Sequence, residues 1–373
     1  MRVPNPFKCA ACVLLPIAAA LGQQPEYPDI GSIPPDLATP PVQTGSPAPG
    51  KRVKQVAPGY EGTDVYHALY LPSDWKPGKR YPIIVEYSGN GPYQSKYGDL
   101  SSGKPEGSNL GYGISGGKGF IWISMPYVNS SEKRNQLWWW GDVQATVGYC
   151  QRTVRGVCEN WGGDPSSVII AGFSRGAIAC NYIGLHDDKI ADIWLALIAY
   201  SHYDGARAWD YPGSDRPSAL ERLKRLAGRS VFACHEQSIE ETRSYVESTG
   251  LGASFSFVKI PFRNHTDAWT LRNIAERQQL RNWVKHVLDA KPGTHSISGR
   301  VTDRSGNPIS GARVESGDTH WTTTGKNGAF VLGGVIDSHR TISASKAGFQ
   351  SESHMVVVEG MDAAPVNFSL ASQ

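Results

Sequence analysis

Between about Gly62 and Leu288, short and almost uninterrupted apolar runs alternate with segments of helical periodicity. This alternation constrains the fold more than any other feature of the chain. The apolar runs are Val65–Leu71, Tyr81–Tyr87, Gly119–Met125, Val168–Ala171, Ile193–Tyr200, Ser230–Cys234 and Phe255–Ile260. A strand with one wet face alternates apolar and polar residues, so runs without that alternation predict strands buried on both faces. Between them, Val143, Val147, Cys150, Val154, Val157 and Trp161 recur at spacings of three and four and form one apolar helical stripe. Asp142 is placed to cap that helix, and Gly162-Gly163-Asp164-Pro165 to stop it. Ser238-Ile239-Glu240-Glu241 has the pattern of a capping box. Ile274, Leu280, Trp283, Val284, Val287 and Leu288 mark a last amphipathic helix. Strands alternating with helices predict an α/β domain with a doubly wound, mostly parallel sheet covered on both faces.

The pattern breaks at Lys291-Pro292-Gly293. From residue 294 to 373 the chain has short alternating segments, such as Ser296-Ile297-Ser298-Gly299-Arg300-Val301, separated by turn signals such as Ser305-Gly306-Asn307-Pro308. No helix signal occurs, which predicts a small all-β sandwich. At the other end, Arg2 and Lys8 precede the apolar stretch Cys9 to Leu21, too short for a spanning helix. Residues 1–22 are therefore expected to be a signal peptide for secretion or export to the periplasm. Residues 23–58 are crowded with proline and read as a linker or extended arm, leaving 59–291 for the α/β domain.

A formal charge of +3 on 373 residues, with no basic run, argues against a nucleic-acid partner. No other segment is long and apolar enough to span a membrane. No metal-ligand spacing, phosphate loop or dinucleotide fingerprint occurs, so neither metal nor cofactor is expected. Outside the signal stretch the cysteines are Cys150, Cys158, Cys180 and Cys234. Export would permit a disulfide from Cys150 or Cys158 to Cys180, and buried thiols are an equal reading.

Gly-x-Ser-x-Gly occurs twice. Gly113-Ile114-Ser115-Gly116-Gly117 lies in a glycine-rich stretch with no strand before it and no helix after it, and reads as a chance match. Gly172-Phe173-Ser174-Arg175-Gly176 follows the run Val168–Ala171 and precedes the helical Ala177-Ile178-Ala179-Cys180. A sharp strand-to-helix turn projects a serine hydroxyl into a cleft, which makes Ser174 the candidate nucleophile. A serine hydroxyl needs a base, and His265 lies just after the last strand. The acid that orients that base is expected to be Glu236, after Ser230–Cys234, with Asp204, after the strand before it, as the alternative. Oxyanion donors are expected from the Arg175 backbone and from Gly89 or Asn90 in Ser88-Gly89-Asn90-Gly91. Trp138-Trp139-Trp140 cannot all point inward, so this trio is a candidate substrate platform.

The elbow at Ser174 and the loop at His265 resemble those of the α/β-hydrolase superfamily, over about Tyr60 to Leu288. Tyr66-His67-Ala68-Leu69-Tyr70-Leu71-Pro72 through Tyr81-Pro82-Ile83-Ile84-Val85 resembles the opening of secreted esterases, including feruloyl and acetylxylan esterases and the polyhydroxybutyrate-depolymerase-like group. The resemblance implies a serine hydrolase acting on small-molecule or polymer-linked esters. Prolyl-oligopeptidase-type peptidases share the arrangement, and a non-catalytic binding protein could retain the fold. Ile297-Ser298-Gly299-Arg300-Val301, Gly306-Asn307-Pro308-Ile309-Ser310-Gly311-Ala312 and Thr324-Gly325-Lys326-Asn327-Gly328-Ala329-Phe330 resemble a carboxypeptidase regulatory-like domain of transthyretin-like fold. That implies a non-catalytic module able to contact polysaccharide or a cell surface.

Overall fold

Nine strands build the main sheet: β1 (Val42–Gln43), β2 (Arg52–Gln55), β3 (His67–Tyr70), β4 (Tyr81–Tyr87), β5 (Ile121–Met125), β6 (Gly163–Phe173), β7 (Ala196–Tyr200), β8 (Ser230–Glu236) and β9 (Phe255–Ile260). Their spatial order is β1-β2-β3-β5-β4-β6-β7-β8-β9. The six strands from β5 to β9 run parallel, and β3 pairs antiparallel with both β5 and β2. The structure, a computed structural model, describes residues 27–290, 294–317, 320–336, 338–358 and 365–373. The expected signal peptide and the break at 291–293 lie outside the described residues.

The uninterrupted apolar runs have the expected cause. Along β4, Ile83, Val85 and Tyr87 face one core while Ile84 faces a second core across the sheet. Helices α2 (Val143–Asn160) and α3 (Arg175–Tyr182) cover the first face; α1 (Leu110–Ser115) and α7 (Ala275–Asp289) cover the second. Asp142 caps α2 by accepting from the Ala145 N–H at 3.0 Å. Val147, Val154 and Val157 are its buried stripe; each such side chain stabilises by about 1.5–3 kcal/mol when fully buried. Short α4 (Asp188–Ala191), α5 (Arg216–Leu223) and α6 (Glu240–Ser248) complete the layer set.

Four local expectations need correction. The Pro-rich stretch read as a linker or arm is joined to the domain: it supplies β1 and β2, and Ile30 is buried. The Gly162–Pro165 stop signal is already partly strand, because β6 begins at Gly163 beside Tyr81. No capping box opens α6. Ile239 is its N-cap without a side-chain bond, and Glu241 pairs with Arg207 instead. The Gly-rich stretch around Ser115 contains α1, whose glycines serve close packing: a Cβ on Gly111 would lie 2.2 Å from Trp122.

None of the four described cysteines forms a disulfide; all are buried thiols. No described helix is long and apolar enough to cross a membrane.

Beyond residue 293, β10 (Thr294–Asp303), β11 (Arg313–Ser316), β12 (His320–Thr323), β13 (Ala329–Ile336), β14 (Ser338–Ser345), β15 (Glu352–Val358) and β16 (Phe368–Leu370) form two small sheets. Their orders are β13-β10-β16 and β12-β11-β14-β15, enclosing Ile297, Val314, Phe330, Ile342 and Phe368. Arg340 of β14 reaches the α/β domain, where it donates to the Asp192 carbonyl at 2.8 Å and pairs with its carboxylate at 3.2 Å. Asp192 precedes β7, so this junction sits at the N-terminal end of the parallel strands.

Candidate active site

In a parallel sheet the residues just past the strand C-termini gather along one edge. The register places Tyr87 beside Gly172, Phe173 beside Tyr200, and Tyr200 beside Cys234. Ser88, Ser174, Ser201 and Glu236 therefore line up at that edge, and the loop after β9 brings His265 to it.

Ser174 is the N-cap of α3 with φ 55° and ψ −118°, a strained conformation for a serine. The turn that holds it requires glycine on both sides. A Cβ on Gly172 would lie 1.9 Å from the Gly176 carbonyl oxygen, and one on Gly176 would lie 1.9 Å from that of Tyr87. His265 Nε2 is 3.1 Å from Ser174 Oγ, and His265 Nδ1 is 2.6 Å from Glu236 Oε1. The structure thus brings Ser174, His265 and Glu236 into one hydrogen-bonded chain. Glu236 is the last residue of β8 rather than part of the following loop. Burial opposes its ionisation, but the hydrogen bond and charge of His265, with His235 nearby, hold its carboxyl down at about 2.

Asp204, the other carboxylate considered, is turned away. Both its oxygens bond to Arg222, at 2.8 and 3.0 Å, beneath the surface. The second glycine-flanked serine, Ser115, ends α1 and turns its hydroxyl back to the Tyr112 carbonyl.

The Arg175 side chain, given no role by the sequence reading, is buried beneath the cleft. It donates to the carbonyls of Trp139 (2.6 Å), Gly89 (2.9 Å) and Gly103 (3.2 Å), and lies 4.0 Å above the Tyr127 ring. It ties the Gly89-Asn90 loop and the tryptophan loop to the start of α3. With the Gly89 carbonyl held there, the trans peptide directs the Asn90 N–H the opposite way. The Asn90 side chain accepts from the Trp139 N–H at 2.8 Å, which joins the two loops again.

The cleft above Ser174 has a volume of about 550 Å³. Trp138, 45 % exposed, and Trp139 line it. Trp140 does not: it is buried and stacked on Tyr182 at 3.8 Å, so it belongs to the core. The sequence reading missed much of the remaining wall. Tyr93 and Tyr97 come from the strand pair Tyr93–Gln94 and Leu100–Ser101 and its turn, and Trp209 from the loop after β7. Asp99 in that turn accepts from the His265 N–H (3.0 Å) and from Asn264 Nδ2 (2.9 Å). Asn264 also accepts from the Ile30 N–H at 2.7 Å, so the loop carrying His265 is held between the cleft turn and the N-terminal arm. His202 also borders the cleft, and burial lowers its imidazole to about 3.

Residues 296–371 match the family model described as carboxypeptidase regulatory-like domain. The C-terminal unit is a carboxypeptidase regulatory-like domain. The larger unit has an α/β-hydrolase fold, by its strand order and by the strand–Ser174–helix turn. No curated protein is similar in sequence to the chain. Among solved structures, esterase 2 of Thermogutta terrifontis phosphorylated by paraoxon is 17% identical, with 64% of this chain and 94% of that one covered and a TM-score of 0.46. A feruloyl esterase module from Clostridium thermocellum complexed with sinapinate is 14% identical, covering 67% and 94%, with a TM-score of 0.41. A thermostable esterase is 12% identical, covering 63% and 62%, with a TM-score of 0.43. The chain thus spans less than two thirds of that last protein.

Proposed function

We propose that the α/β-hydrolase unit is a serine hydrolase that cleaves carboxylic esters through an acyl-enzyme. The observation carrying this reading is the single hydrogen-bonded chain from Ser174 Oγ through His265 to Glu236, at an aromatic cleft. Ser174 Oγ attacks the ester carbonyl carbon and His265 Nε2 takes its proton. Glu236 holds the imidazole with Nδ1 protonated and stabilises the imidazolium. The N–H groups of Arg175 and of Gly89 or Asn90 stabilise the oxyanion, each worth roughly 3 kcal/mol. Collapse expels the alcohol, protonated by His265; water activated by the same imidazole then releases the acid and restores Ser174.

Tyr93, Trp138, Trp139 and Trp209 suit an aromatic or otherwise flat acyl group, and the exposed Trp138 suits a polymer-linked ester. An ester reading is favoured over a prolyl-oligopeptidase-type peptidase with an amine-binding acid pair because Glu236, bound to His265, is the one carboxylate among the described residues lining the cleft. Within this proposal the N-terminal stretch directs export, and the regulatory-like domain supplies contact with polysaccharide or a cell surface. Labelling with a fluorophosphonate probe tests the nucleophile. Wild-type protein forms a covalent adduct and Ser174→Ala does not; an equal adduct on Ser174→Ala refutes the assignment. Turnover of short aryl esters but not of peptide amides then separates esterase from peptidase.

A further inference from the structure

Ser201 follows the C-terminal end of β7, next to Glu236 and His265, and has no part in the mechanism above. It is fully buried, and its backbone has φ 86°, a region that favours glycine. Its N–H donates to the Cys234 carbonyl at 2.8 Å, fixing the turn against β8. From there its hydroxyl donates to Glu236 Oε1 at 3.1 Å and lies 3.0 Å from His265 Nδ1. Glu236 Oε1 thus receives two hydrogen bonds, while Oε2 has no hydrogen-bond partner among the described residues. A buried carboxylate with so few donors depends on each of them.

Glycine would take this backbone without strain, yet the position carries a serine whose hydroxyl, among the described residues, contacts only the acid and the base. We infer that Ser201 is a positioning residue for the proposed hydrolysis. It holds Glu236 Oε1 in line with His265 Nδ1 and moderates the basicity of the carboxylate. The inference rests on the reading of Ser174, His265 and Glu236 as the reacting set. Without the hydroxyl, Glu236 would bear more charge on Oε1 and bind the imidazolium more tightly.

The test compares wild type with Ser201→Gly and Ser201→Ala, each as the full chain. The measurements are thermal unfolding, fluorophosphonate labelling rate, and pH profiles of kcat and kcat/KM with a short aryl ester. Ser201→Gly is expected to melt no lower than wild type, because the strained φ is relieved. Its labelling rate and kcat should fall about tenfold, the effect of one lost hydrogen bond to a charged group, with KM nearly unchanged. The acid limb of kcat/KM should move to higher pH in both variants. Wild-type kcat and an unmoved acid limb in Ser201→Gly overturn the inference while leaving the nucleophile standing. So does a lowered melting point with unchanged turnover per labelled site, which would make Ser201 a packing residue. A wild-type protein that takes no label at all refutes the proposed function instead.

Discussion

Glu236, which ends β8, and Asp204, just past β7, are both buried carboxylates at neighbouring strand ends, and their partners separate their roles. Glu236 faces His265 and Asp204 faces Arg222. Glu236→Gln should still fold at neutral pH but lower kcat by about 10³–10⁴-fold, since an amide fails to hold the imidazole in the required tautomer. Asp204→Ala should do the reverse. It leaves a largely buried guanidinium unpaired, costing about 3–5 kcal/mol of stability in denaturant titration, with kcat per folded molecule unchanged. A kcat loss in Asp204→Ala matching that of Glu236→Gln would return the acid assignment to Asp204. The depressed Glu236 carboxyl also sets a pH window. Unfolded, the group takes up a proton near pH 4.5; folded, it holds out to about 2. Its stabilising contribution is therefore complete above the unfolded value and is lost as pH falls from about 4.5 to 2. Denaturant titrations at stepped pH should show this slope in wild type and a shallower one in Glu236→Gln.

The elements that place these groups differ in how far they could be read from residues alone. Strands β4 and β9 match their predicted runs end to end: β4 is covered on both faces and carries only a buried Glu86 among its apolar residues, while β9, at the sheet edge, keeps Val258 and Ile260 inward and exposes Lys259. The Ser174 turn was legible for a related reason: close backbone approach leaves glycine as the only tolerable flank. The remainder of the cleft was not, because it depends on partners far along the chain. Asp99 meets His265 across 166 residues, and Ser201 meets Glu236 across 35. Neither residue carries a local pattern. The Trp138–Trp140 run announced a platform but not its division, which follows from Tyr182 stacking beneath Trp140. Steric demand at the elbow gives a contrast that can be measured. Gly176→Ala should yield no folded protein, since its Cβ would sit 1.9 Å from the Tyr87 carbonyl oxygen. Gly156→Ala, within α2 and with nothing nearer than 3.9 Å, should raise stability by about 0.5–1 kcal/mol through helix propensity.

At the scale of the whole molecule, the two units meet away from the chemistry. Asp192 precedes β7 and Arg229 precedes β8, whereas Ser201 and Glu236 stand at the opposite ends of those strands. Five residues of β7 span about 16 Å, so the regulatory-like domain docks on the far side of the sheet from Ser174. The junction is held by charge: Asp192 lies 3.2 Å from Arg340 of the sandwich and 3.6 Å from Arg229 of its own domain, with all three side chains mostly buried. Two guanidiniums repel each other in a low-dielectric seam unless the carboxylate stands between them. Asp192→Ala removes it and also leaves both arginines without their counter-ion. The expected result is a split calorimetric transition, with the sandwich unfolding first, while kcat on a short aryl ester stays at the wild-type value. A fall in kcat together with the split would mean that the appended domain acts on the cleft through the sheet. An unsplit transition at the wild-type temperature would mean that apolar packing between the units, not Asp192, holds them together.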